Sequence, residues 1–113
     1  MAIIKDDYMK EMMATTKPFT LAILKKGPNF STDSKVMAVI WEHGRRNFSL
    51  KADGVLPVVC PVRDDSEVAG VGIFTTDTEE TKRILHGDPA IEAGILVYEV
   101  HPTRTFPGSS LPK

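Results

Sequence analysis

Residues 86–102 read HGDPAIEAGILVYEVHP. Asp88 followed by Pro89 is an ordinary way to open a helical turn: the carboxylate accepts a backbone N–H, and proline takes the first helical position, where its missing N–H costs nothing. Gly94 closes that turn. The strand that follows is apolar on both parities, with Ile95 and Val97 on one and Leu96, Tyr98 and Val100 on the other. Such a strand belongs to a sheet that has helices on one face and some other cover on the second.

The same punctuation divides the rest of the chain. PFTLAILKKG (18–27) reads as a strand stopped at Gly-Pro. From Ser34 to Asp53 the spacing turns helical, with Val36, Ile40, His43, Asn47 and Phe48 on one face. Thr32 or Asp33 caps its start, and Gly54 takes the left-handed position at its end. VLPVVCP (55–61) is a second strand, where Pro57 suits an edge or a bulge, and VAGVGIFTT (68–76) is a third. TDTEETKRILHG predicts a helix capped by Thr76, Asp77 or Thr78, with Ile84 and Leu85 turned inward. The order βαββαβ is the ferredoxin-like split unit, an α+β fold with an antiparallel sheet. Trp41 and Tyr98 are expected in the core.

Residues 18–106 make the domain, and 107–113 form a flexible tail. Residues 1–17 are an appendage whose short helix, KDDYMKEMMA (5–14), places Tyr8, Met9, Met12 and Met13 on one side, to pack on the domain or on a neighbour. Two helices cover one face of a split βαβ sheet, yet its first, second and last strands are apolar on both faces. A second copy packed sheet to sheet is the simplest cover, so a homodimer is expected.

Composition narrows the function classes. The chain has 113 residues, 42% hydrophobic and 26% charged, which is one globular domain. A net charge of −1, with only the isolated pairs Lys25-Lys26 and Arg45-Arg46, offers no footprint for nucleic acid or an anionic membrane. The opening MAIIKDDYMK interrupts any signal-peptide core, no run reaches membrane-spanning length, and the single Cys60 excludes an internal disulfide. The cytoplasm is the expected compartment. His86 and His101 share no ligand spacing with His43 or Cys60, AGVG does not open a helix, and neither a nucleophile elbow nor a phosphate loop is present. No metal or other cofactor is expected.

Two residues remain open to chemistry. His43, on the inward helix face, reads either as a half-buried polar residue or as a general base, which needs an orienting partner. Asp88, at the mouth of the last strand, is the best partner available, and equally a plain helix cap.

The chain resembles the YciI-like family of small dimeric α+β barrel proteins. The resemblance rests on His43 in the opening helix, on DGVLPVVCP, and most specifically on DPAIEAG, which matches an Asp-Pro-x-x-x-Ala-Gly signature. It spans roughly residues 18–106. It implies a cleft holding a catalytic His43–Asp88 pair, bordered by Cys60, Pro61 and Tyr98, with Cys60 replacing a family glycine and adding a side chain beside the cleft. Members are similar in fold to muconolactone isomerases, and a relative dechlorinates chlorinated hydroxyquinols. The resemblance therefore implies cofactor-independent proton transfer on a small organic molecule, of isomerase, dehydrochlorinase or lactone type. The alternative is a dimer that binds a metabolite or a protein without catalysis.

Overall fold

The computed structural model describes residues 1–113. In chain order the elements are α1 (Asp6–Met13), β1 (Lys17–Lys26), α2 (Ser34–Ala52), β2 (Val58–Pro61), β3 (Val68–Phe74), α3 (Thr78–His86), α4 (Pro89–Glu92) and β4 (Leu96–Thr105). The four strands form one antiparallel sheet in the order β2-β3-β1-β4, the ferredoxin-like arrangement. No helix is long and apolar enough to cross a membrane.

Caps set the helix boundaries. Asp33 accepts from the Lys35 N–H at 2.8 Å and starts α2, and Asp77 accepts from the Glu80 N–H at 2.8 Å and starts α3. Gly54 follows α2 with φ +76°, in the left-handed region expected for it. The second strand is shorter than its apolar run. The N–H groups of Val55 and Leu56 both turn back to the Leu50 carbonyl, and Pro57 has no N–H to give, so pairing begins at Val58 on the sheet edge. The third strand likewise stops at Phe74, because the Thr75 N–H donates to Val55 and the Thr76 hydroxyl engages that of Thr81 at 2.7 Å.

Register separates the two faces. Thr20, Ala22 and Leu24 of β1 lie opposite Phe74, Gly72 and Gly70 of β3, and Ala22 and Leu24 lie opposite Val100 and Tyr98 of β4. This face meets the helices. Ala22, Leu56, Phe74 and Leu85 form one buried cluster there, and Ala90, Ile95 and Leu96 form another. On the opposite face two rows run across the sheet, Val58–Ile73–Leu21–His101 and Cys60–Val71–Ile23–Glu99. Their apolar members are only half-buried, and no element of the chain covers them.

The helix layer departs from expectation at two aromatic residues. Val36, Ile40, His43 and Asn47 do face inward and are half-buried, but Phe48 and Trp41 are each 70% exposed. The inward stripe passes from Asn47 to Leu50, which packs on the first cluster, and so leaves Phe48 off its axis.

The sheet is longer than the body it supports. Lys17–Phe19 pair with Thr103–Thr105 beyond Thr20, where β3 ends, and make a two-stranded arm. The Arg104 guanidinium donates to the Thr16 hydroxyl at 2.9 Å and to its carbonyl at 3.1 Å, tying the start of the arm. α1 continues from that end with no buried residue, and the molecule measures 54 × 30 × 25 Å.

Candidate functional site

Where Val36, Val39 and Ile40 of α2 pack on the Ala90 cluster, one polar contact joins the helix to the N-cap of α4. His43 Nδ1 lies 2.5 Å from Asp88 Oδ2. The other carboxylate oxygen, Oδ1, accepts the Ala90 N–H at 2.9 Å and caps α4. Asp88 is 1% exposed and makes both contacts at once, so the cap and the histidine partner are the same residue using different oxygens.

The backbone around α4 holds this carboxylate in place. The Ile95 N–H donates to Ala90, the Gly27 N–H to Ile95, and the Asn29 N–H to Gly94, so the β1–α2 loop is sewn to the α4–β4 turn. The Asn29 amide adds a bond to the Ala93 carbonyl at 2.8 Å. Gly94 adopts φ +71°, which favours glycine, and a Cβ there would sit 2.7 Å from Asn29 Nδ2 and displace the Asn29 amide.

The protonation pattern follows from the partners. Burial pushes the Asp88 carboxyl up, but the His43 hydrogen bond and charge, the Ala90 N–H and the Arg46 cation together outweigh it and hold the group below the ordinary carboxylate value. An ionised carboxylate only accepts hydrogen bonds, so Nδ1 of His43 carries the proton donated to Asp88. Asn47 Nδ2 lies 3.2 Å from His43 Nε2. When the amide donates, Nε2 is the accepting nitrogen, with its lone pair turned to Asn47.

Arg46 stands behind the pair. A Cβ on Gly87 would lie 2.8 Å from Arg46 Nη2, so the bare glycine makes room for the guanidinium next to Asp88. Its Nη1 is buried with no hydrogen-bond partner. Arg46 therefore acts on Asp88 through charge.

Beside His43 and Asn47 a cavity of about 350 Å³ opens between α2 and the sheet. Its floor is low because Ala22, Gly70 and Gly72 face α2 with little or no side chain. Leu24, Phe30 and Leu56 contribute apolar wall, and Cys60 and Pro61 border it. Val59 packs on the helix-side cluster, so by strand alternation the Cys60 thiol belongs to the opposite face and takes little of the cavity. Lys26, His43 and Asn47 are the charged or amide-bearing side chains of the lining, which contains no carboxylate.

Tyr98 is the one predicted wall residue found elsewhere. It sits on β4, at the sheet edge opposite β2, where its hydroxyl meets His86 Nε2 at 2.8 Å and the two rings pack edge to face at 5.5 Å. It shares the helix-facing parity of the cavity residues, but its side chain is held at α3 by His86. Asn47 and Arg46 are the additions the sequence reading lacked. Asn47 had a usable signal, since it lies four residues after His43 on one helix face. Arg46 had none, because its position depends on a contact with Gly87 far along the chain.

No group of three or more His, Cys, Asp or Glu side chains converges in a way that would hold a metal ion. No family model matches the chain, and no curated protein matches it.

Proposed function

We propose that the chain is a cofactor-independent enzyme in which His43 moves a proton on a small, largely apolar organic molecule bound in the α2 cavity. The observation that carries this reading is the 2.5 Å contact between His43 Nδ1 and a buried Asp88, beside that cavity. Asp88 fixes the tautomer and orientation of the ring and stabilises the imidazolium once Nε2 has taken a proton. The Asn47 amide steadies Nε2 before transfer and, rotated, accepts from the Nε2–H afterwards. Isomerisation, elimination and lactone chemistry all need such a base, and the resemblance to YciI-like proteins points the same way. Proton transfer of this kind contributes about 10²- to 10⁴-fold in rate.

The test is turnover by the wild type and by His43→Ala against a panel of lactones and halogenated phenols. Loss of turnover by about 10²-fold or more is expected. Unchanged turnover on a confirmed substrate would sink the proposal. A second reading, binding without catalysis, is favoured by one observation: Asp88 already has a structural task as the cap of α4. Two-bond ¹H–¹⁵N spectra of His43 separate the two readings. A ring locked with its proton on Nδ1 in the wild type, and released in Asp88→Asn, supports the coupled pair, whereas the same ring spectrum in both proteins supports the binder.

The apolar, uncovered rows of the sheet support pairing with a second copy, sheet against sheet, as in the dimeric α+β barrels the sequence resembles. The absence of a basic patch in the sequence argues against nucleic acid as a partner. The single unpaired Cys60 fits a cytoplasmic setting.

A further inference from the structure

Two apolar surfaces outside the sheet have no partner within the chain. The first is a stripe on α2, Met37, Trp41, Gly44 and Phe48, spaced by four, three and four residues and so aligned along one side of the helix. Met37, Trp41 and Phe48 are 44%, 70% and 70% exposed, and a Cβ on Gly44 would meet nothing within 4 Å, so another backbone can approach closely there. The second is the face of α1 formed by Tyr8, Met9, Met12 and Met13, preceded by Ile3 and Ile4, most of them exposed.

The first surface is long enough to seat the second, and the two are opposite in charge. α1 is about 12 Å long, and the α2 stripe spans about 17 Å at 1.5 Å per residue. α1 carries Asp6, Asp7 and Glu11 against Lys10, while α2, with Arg46 turned in toward Asp88, carries Lys35, Arg45 and Lys51 against Glu42. An acidic amphipathic helix therefore faces a basic one, which favours encounter and orients it. α1 also sits at the end of the two-stranded arm, beyond the sheet and outside the body of its own chain.

We propose that α1 of one copy docks on the Met37–Trp41–Phe48 stripe of a second copy. Met37, Ile40, Gly44 and Phe48 line both this stripe and the cavity beside His43, so the docked arm forms an outer wall of the partner's cavity. Each site is then completed by a segment from the other chain. This contact is separate from the sheet-to-sheet pairing and does not depend on His43 being catalytic.

Trp41 is the only tryptophan, so its fluorescence reports the stripe directly. In the wild type, emission at shorter wavelength and weak acrylamide quenching are expected at high protein concentration, with both reverting on dilution. The double variant Met9→Lys, Met13→Lys, altered outside the core, should keep Trp41 water-exposed at every concentration. Adding Trp41→Phe protein, which is silent in this channel but has an intact arm, should restore the blue shift to that variant. Three results would each overturn the proposal: a wild-type Trp41 exposed throughout, a variant Trp41 as protected as the wild type, or no rescue by the silent copy. The last would assign the stripe to the chain's own arm.

Discussion

The two halves of the helix layer are built on different terms. α3 and α4, of nine and four residues, place Thr81, Leu85 and Ala90 against the sheet, each at most 4% exposed. α2 has 19 residues and not one is buried. The difference lies in what each half packs on: Leu85 and Ala90 are fully enclosed in the two buried clusters, whereas Val36, Val39 and Ile40 of α2 are only half-buried on the second cluster, and Gly70 and Gly72 leave space beneath the rest of the helix. Stability is concentrated in the tightly packed half, and the cavity exists because the other half is underpacked. His43 and Asp88 join the two, one from each half.

The contrast should break most visibly in core truncations. Leu85→Ala is expected to cost about 2–5 kcal/mol, as for other fully buried leucines. Ile40→Ala, from a half-buried position above an existing cavity, should cost only about 1 kcal/mol. Denaturant midpoints at unchanged slope measure both, and equal losses would mean that α2 is as firmly packed as α3.

Asp88 tests the seam between the halves. Asp88→Ala leaves the Ala90 N–H and the His43 Nδ1–H without their acceptor, a loss of about 1–3 kcal/mol at neutral pH. Asp88→Asn keeps a capping oxygen and removes the charge, so it should lose less. Because the folded protein holds this carboxyl below its ordinary value of about 3.9, its charge contributes stability above that pH and ceases to as pH falls through the folded value. Wild-type and Asp88→Asn stabilities, followed by denaturation from neutral pH into acid, should therefore converge. A gap that stays constant would leave Asp88 with only its cap.

The smallest effect belongs to the outer side of α2. Phe48→Ser should change the stability of a dilute sample by no more than about 0.5 kcal/mol, since the ring is already exposed. A loss that grows with protein concentration would show that a partner covers it.

Much of this was legible in the residues. Asp-Pro, Ala-Gly and the two-parity strand correctly announce a capped turn feeding a sheet, and the 3.6-residue period put His43 and Asn47 on the inward face. Phe48 and Trp41 were misjudged for a physical reason: an apolar residue on an amphipathic helix is assigned to the core unless something shows a second apolar stripe, and only packing separates the two. Tyr98 stands apart from the cavity because its hydroxyl engages His86 of α3, a contact that exists only once α3 lies beside β4. Arg46 was invisible, since Gly87 makes room for it only once α3 and α2 are side by side.

The sequence by itself determined the order of elements, the cap at Asp88, the caps of α2 and α3 to within a residue, the glycines at 54 and 94, and the apolar second face of the sheet. These follow from local chain chemistry and from periodicity, which are written in neighbouring residues. Only the tertiary structure decided that the Asp88 carboxylate divides its oxygens between a cap and His43, that Arg46 stands behind the pair, and that Gly70 and Gly72 hollow the space beside them. Those outcomes depend on distances between residues 45 positions apart and more loosely on strand register, which the packing of the folded chain alone sets.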